Sequence, residues 1–176
     1  MRDGDEAAYR EFVAARMAHL RRVAYLVCGD WHLAEDAVAT ALARLYLAWN
    51  RVRDADKIDA YARTMVVRAV VDEHRRPWRR ERANYEDAVA LSNRSVTDPT
   101  SQIDDRLMVR EALSRLPRRR RAVLVLRFYE GLSVDETAEA LGCSAGTVKS
   151  QTARGLAALR DLLPSDYLIR NGATDD

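Results

Sequence analysis

The stretch Leu132-Ser133-Val134-Asp135-Glu136-Thr137-Ala138-Glu139-Ala140-Leu141-Gly142-Cys143-Ser144-Ala145-Gly146-Thr147-Val148-Lys149-Ser150 decides the fold class. Ser133 and Glu136 have the spacing of a capping box, so a helix starts there. Ala138 lies four residues before Gly142, and Val148 six after it. A small residue at the contact, a glycine at the turn and a branched apolar residue on the second helix let two short helices cross closely, as a helix-turn-helix requires. Ser144 can cap the second helix and leave its N-terminal face open to a major groove. That face carries Thr147, Lys149, Ser150, Gln151 and Arg154. All can donate hydrogen bonds and none is acidic. Arg and Gln suit guanine and adenine edges, while Lys149 and Ser150 suit a base or a phosphate. Helix pairs with a glycine turn also occur in plain bundles, but capping box, spacing and acid-free face together favour DNA.

Upstream, Ile103, Leu107, Leu113 and Leu116 form a helical stripe. Pro117 sits where a helix can begin without losing a needed donor, and Val123, Leu124, Leu126 and Phe128 continue that helix to Gly131. From Asn84 to Gln102 the periodicity fades into Asn, Ser, Thr, Asp and Pro99, the composition of a flexible linker. Before it, Leu20, Val23, Ala24 and Val27 mark one amphipathic helix, and Leu33, Ala37, Ala41, Leu45 and Trp49 mark the next. Gly29-Asp30 reads as the turn between them, with Asp30 as cap. A third helix after Asp56 is expected to bury Ile58, Tyr61, Met65 and Ala69 and to run into an arginine cluster before Pro77. The expected fold is all-α: two small helical domains, residues 1–83 and 103–164, a flexible linker 84–102, and a frayed tail 165–176, with the helix-turn-helix in the C-terminal domain.

Net charge is only +2, so charge distribution carries more information than its total. Arginine gathers at Arg75, Arg76, Arg79, Arg80 and Arg82, and again in Arg118-Arg119-Arg120-Arg121. Its planar fork suits phosphate, and a solvated helix face neutralised by acids accounts for either run equally well. Cys28 and Cys143 lack metal-ligand spacing and read as packing residues, so no metal is expected. There is no run of about 18 apolar residues, and the opening Met1-Arg2-Asp3-Gly4-Asp5-Glu6 lacks the order of a signal peptide. A soluble, cytoplasmic protein without membrane insertion is expected.

Leu116-Pro117 through Ser133, followed by Gly142 through Gln151, closely resembles the C-terminal domain of extracytoplasmic-function sigma factors of the sigma-70 family, above all the actinobacterial sigma-E-like group. Ala34-Glu35-Asp36-Ala37-Val38 leading to Trp49, then Ala60-Tyr61 through Arg76, resembles that family's core-binding and promoter-melting domain. The resemblance implies a sigma factor that binds the clamp helices and flap of core RNA polymerase, reads the minus-thirty-five element with the helix-turn-helix and opens the minus-ten element. It implies polymerase contacts from Glu35, Asp36, Leu42, Leu45 and Trp49, and minus-ten contacts from Arg63, Arg68, Arg75, Arg76 and Arg79. It adds an anti-sigma protein as a partner, although no residue identifies one. No catalytic residue, cofactor or small-molecule substrate is implied. Glu35-Asp36 also reads as ordinary first-turn acids near a positive helix end, and Arg68, Arg75 and Arg79, with Asp72 between them, as an ion-pair network. Two positions depart from the family: it usually has Gln where this chain has Ala39, which implies a slight change in core affinity, and Asn where it has Arg68, which implies that minus-ten preference differs from that of relatives. The competing reading is a stand-alone helix-turn-helix regulator that binds palindromic sites as a dimer.

Overall fold

The computed structural model describes residues 3–53, 58–73 and 101–170, where all regular structure is helical. Helices α1 (Asp3–Cys28), α2 (Trp31–Val52) and α3 (Ile58–Glu73) form an N-terminal three-helix unit. Helices α4 (Ser101–Ser114), α5 (Arg118–Leu124), α6 (Val134–Leu141), α7 (Ala145–Leu162) and α8 (Ser165–Arg170) follow. Gly29 turns the chain at φ +77°, where a side chain would be strained. Asp30 then accepts a hydrogen bond from Leu33 N at 2.9 Å and starts α2 as the sequence predicts.

The α1 stripe of Leu20, Val23, Ala24 and Val27 is buried, and so are Ala37, Ala41, Leu45 and Trp49 of α2. On α3 the buried line is Ala62, Val66, Val67 and Val70. It differs from the expected Ile58, Tyr61, Met65 and Ala69 by one residue, about 100° around the helix. Ile58, Met65 and Ala69 pack at the margin, and Tyr61 is exposed. The reason is that α3 is apolar on more than one side: it meets α1 and α2 on one flank and the C-terminal helices on another. The small branched side chains enter the crowded seam, while the tyrosine keeps its hydroxyl at the rim.

That flank adds a contact between the two expected helical domains. Ala122, Val125, Leu126, Leu132 and Ala140 belong to the same buried cluster as Leu20, Val23, Val27, Val66, Val67 and Val70. The two units therefore share one core, and only Val123, Ala138 and Val148 form a separate cluster inside the helix-turn-helix. Burying Leu126 against the N-terminal unit contributes about 1.5–3 kcal/mol.

Three further differences concern the C-terminal unit. After Leu124 the helix widens into a π-helical turn, Val125–Tyr129, closed by Glu130 N donating to Val125 O at 3.0 Å. The additional residue in that turn rotates Phe128 outward, leaving it 60% exposed despite its place in the predicted stripe. In α4, Leu116 beyond the helix end is buried but Leu107 is exposed; Arg110 instead stands over Tyr25, 5.7 Å from the ring centre. Residues 165–170 form α8 where a frayed tail is expected. Of the predicted linker, 101–102 begin α4 and 84–100 lie outside the described residues, as do 171–176.

Candidate nucleic-acid interface

The helix-turn-helix is assembled by short-range chemistry. Ser133 Oγ accepts from Glu136 N at 3.1 Å while Glu136 Oε2 accepts from Ser133 N at 2.8 Å, which completes the capping box. Helix α6 ends at Gly142 in the left-handed conformation, φ +62°, and Cys143 N closes the turn on Ala138 O at 3.0 Å. Ser144 Oγ accepts from Thr147 N at 3.1 Å and starts α7. Val148 is fully buried against Ala138, which sets the crossing of the two helices. Behind α7, a Cβ at Gly155 would lie 2.9 Å from Leu124 Cδ1 and 3.1 Å from Arg120 Cγ, so only glycine permits this approach to α5.

These constraints fix the rotation of α7. Thr147, Lys149, Ser150 and Arg154 are exposed on its outer side, and Gln151 is half-buried with its amide oxygen 3.4 Å from Arg120 Nε. The five residues singled out by sequence thus lie together, at the N-terminal half of a helix whose first turn holds no acid. The arginine run before it divides. Arg121 is buried and donates to Ser114 O at 2.6 Å and Leu116 O at 3.0 Å, capping the end of α4, whereas Arg119 is exposed.

The residues expected to meet polymerase divide as well. Glu35 and Asp36 are exposed, with Glu35 paired to Arg21. Leu42, Leu45 and Trp49 are 6%, 0% and 3% exposed and cannot touch a partner while the bundle is intact. They form the inner stripe of α2, and Trp49 packs edge-on against Tyr9 at 5.2 Å. The Tyr9 hydroxyl donates to Leu42 O at 2.9 Å, and burial, then the neighbouring Tyr46, push its pKa up. The outer line of α2 is Asp36, Thr40, Ala43 and Leu47, and Leu47 is 83% exposed. Leu47 is a large leucine held outward between inward positions, a feature that helical spacing alone does not single out.

The α3 arginines are engaged within the chain. Arg63 Nη1 donates to Glu130 Oε2 at 2.9 Å, and His19 Nε2 lies 3.0 Å from the other oxygen of that carboxylate. Arg68 donates through Nε to Ala140 O at 2.8 Å and through Nη2 to Glu139 O at 2.7 Å. Beside this contact an open crevice of about 250 Å³ is lined by Arg68, Val71, Asp72, Arg119, Leu141 and Gly142. Arg75, Arg76 and Arg79 lie outside the described residues. Cys28 is buried, and burial raises its thiol pKa. Among the described residues no His/Cys/Asp/Glu group could hold a metal, and no helix is long and apolar enough to cross a membrane.

Comparison with known proteins places both units. The family model described as Sigma-70 region 2 matches residues 12–80, and that described as Sigma-70, region 4 matches residues 106–159. The RNA polymerase sigma-E factor of Streptomyces avermitilis is 38% identical over 94% of this chain and 90% of its own length. That of Streptomyces coelicolor is 37% identical over 91% and 88%. The ECF RNA polymerase sigma factor SigM of Mycobacterium tuberculosis is 31% identical over 91% and 79%. Among solved structures, the sigma factor RpoE of Bartonella quintana, in complex with the anti-sigma factor NepR, superposes with a TM-score of 0.63 at 22% identity. That match covers 88% of this chain and 95% of RpoE, and shows a shared fold.

Proposed function

This chain belongs to the sigma-70 family of RNA polymerase sigma factors, in the extracytoplasmic-function group, and from that premise we propose which of its surfaces do the work. Helix α7 reads the minus-thirty-five element through Thr147, Lys149, Ser150, Gln151 and Arg154. The outer face of α2, from Glu35 and Asp36 to Leu47, docks on core polymerase in the cytoplasm. Helix α3, with Arg63 and Arg68 and the following Arg75, Arg76 and Arg79, holds the opened minus-ten strand. Unstacking a base costs a few kcal/mol, and arginine contacts to phosphate help to recover it. An anti-sigma protein is a further partner on this reading, by likeness to the complex of the Bartonella relative.

The observation that carries the assignment is the acid-free outer face of α7, held in place by the Ser133 and Ser144 caps and by Val148. The match of the N-terminal unit to region 2 weighs against a stand-alone regulator, which would have no use for it. Run-off transcription with purified core polymerase tests the reading: addition of the chain is expected to confer specific initiation. Absence of both core binding and initiation across a broad promoter library would sink it.

A further inference from the structure

Gln151 differs from the other four residues on the outer side of α7 in being half-buried and held. Its Oε1 lies 3.4 Å from Nε of Arg120, a residue of α5 that precedes it by 31 positions. Arginine has donors and no acceptor, so the amide atom turned toward it is the oxygen, and the NH2 group takes the other side. Gly155 makes this approach possible. It stands four residues after Gln151, on the same face of α7, and a Cβ there would meet Arg120 Cγ at 3.1 Å and Leu124 Cδ1 at 2.9 Å. The Arg120 stem therefore runs along the Gln151–Gly155 face, beside Leu124 one turn further along α5. Among the described residues Arg120 has no carboxylate partner to draw it away.

We propose that Arg120 is a positioning residue for minus-thirty-five recognition: by holding the Gln151 amide oxygen toward α5, it makes Gln151 a reader of guanine instead of adenine. The proposal rests on the assignment of α7 to the minus-thirty-five element. A free glutamine favours adenine because its oxygen accepts from N6 while its nitrogen donates to N7. That pair needs both amide atoms side by side on the base edge. With the oxygen turned back onto α5, the NH2 group leads, and it can only donate. Guanine presents two acceptors to it, N7 and O6, whereas adenine sets its N6 donor beside N7. Two donors facing each other at an interface that has lost its water are left unpaired, which penalises adenine. Thymine, with O4 alone, ranks between the two. Arg120 needs no base contact of its own to exert this effect.

Holoenzyme assembled from the full chain and core polymerase, bound to a promoter library randomised through the minus-thirty-five element and sequenced, gives the base preference at each position. Gln151→Ala locates the position that Gln151 reads, and there the wild type is expected to prefer guanine. Arg120→Met keeps an apolar stem against Gly155 but lacks the donor, and at that position the guanine-to-adenine ratio is expected to fall about tenfold. Arg120→Ala removes the donor in a second way and is expected to shift the ratio in the same direction. Loss of the Arg120 charge also weakens binding to all sequences alike, which a ratio of bases does not register. In a Gln151→Ala background, Arg120→Met is expected to change no base preference, which separates positioning of Gln151 from direct contact or a general loosening of α7. Adenine preferred by the wild type, an unchanged ratio in both Arg120 variants, or the same change in the absence of Gln151 would overturn the proposal. Base preference lost with Arg154→Ala but not with Gln151→Ala would overturn it while leaving α7 as the reader; no change from either would remove the α7 assignment as well.

Discussion

Helices α3 and α7 both carry arginines on faces assigned to promoter DNA, and the structure leaves them in opposite states. On α7, Lys149 and Arg154 are exposed and make no hydrogen bond or ion pair with any described residue. On α3, Arg63 and Arg68 already hold a carboxylate and two carbonyls from the other half of the chain. The residue type is the same, so the difference lies in what the neighbouring elements present. The first turn of α7 lacks acids and its Ser144 cap leaves the outer face clear, whereas α3 runs alongside Glu130 and the carbonyl end of α6. A basic side chain is available to nucleic acid only where the rest of the fold supplies no competing acceptor.

The largest expected effect asks whether the docking line assigned to α2 is as open as the face of α7. Leu45→Asp places a charge in a fully buried position and is expected to unfold the N-terminal unit, seen as loss of the urea transition. Leu47→Asp, two residues away, is expected to stay within about 0.5 kcal/mol of wild type while core polymerase association falls. Equal damage from both would erase the distinction between inner and outer faces. Next, Leu126→Ala removes side chain from the shared core at a cost of about 2–5 kcal/mol. The three tryptophans, Trp31, Trp49 and Trp78, all precede the C-terminal unit, so a shift in the tryptophan-detected urea transition reports coupling across the seam. If that transition stays in place, α3 is not covered in solution.

The arginines themselves give the sharpest contrast. Arg63→Ala leaves Glu130 without its strongest partner and is expected to destabilise the free chain by about 3 kcal/mol or less. Arg154→Ala should leave stability unchanged within about 0.5 kcal/mol. It should instead cost about 1–3 kcal/mol at one or two minus-thirty-five positions, read by binding to a promoter library, with polymerase affinity intact. An exchange of these two outcomes would reverse the comparison. The smallest effect is Ser144→Ala, which removes the α7 cap and should lower stability by about 1 kcal/mol in thermal melts.

The helix-turn-helix was fully legible in the sequence because each of its determinants acts over a few residues. Capping box, left-handed glycine, second cap and the Ala138–Val148 contact are local chemistry, and together they fix which side of α7 faces outward. The N-terminal unit was legible as helices but not in the orientation of its working faces. Leu42, Leu45 and Trp49 attract attention because they are large and apolar at helical spacing, and that pattern marks the side a helix buries. A docking surface has no such period, and on the outer face of α2, proposed to dock, Leu47 stands almost alone. The departure at Arg68 was visible, but its carbonyl partners lie 71 and 72 positions away, a separation that no spacing rule reaches. Likewise nothing in four consecutive arginines distinguishes Arg121, which closes α4, from the exposed Arg119.

The π-helical turn at Val125–Tyr129 makes the seam a matter of counting as well as chemistry. An α-helix through the same points needs one residue fewer, so the turn behaves as an insertion that the fold has absorbed. Deleting a single residue there is therefore expected to leave an ordinary α-helix joining the same two ends, with Glu130 still facing Arg63. The turn is thus the one place along this segment where the chain can shorten by a residue without moving the charges that meet across the seam.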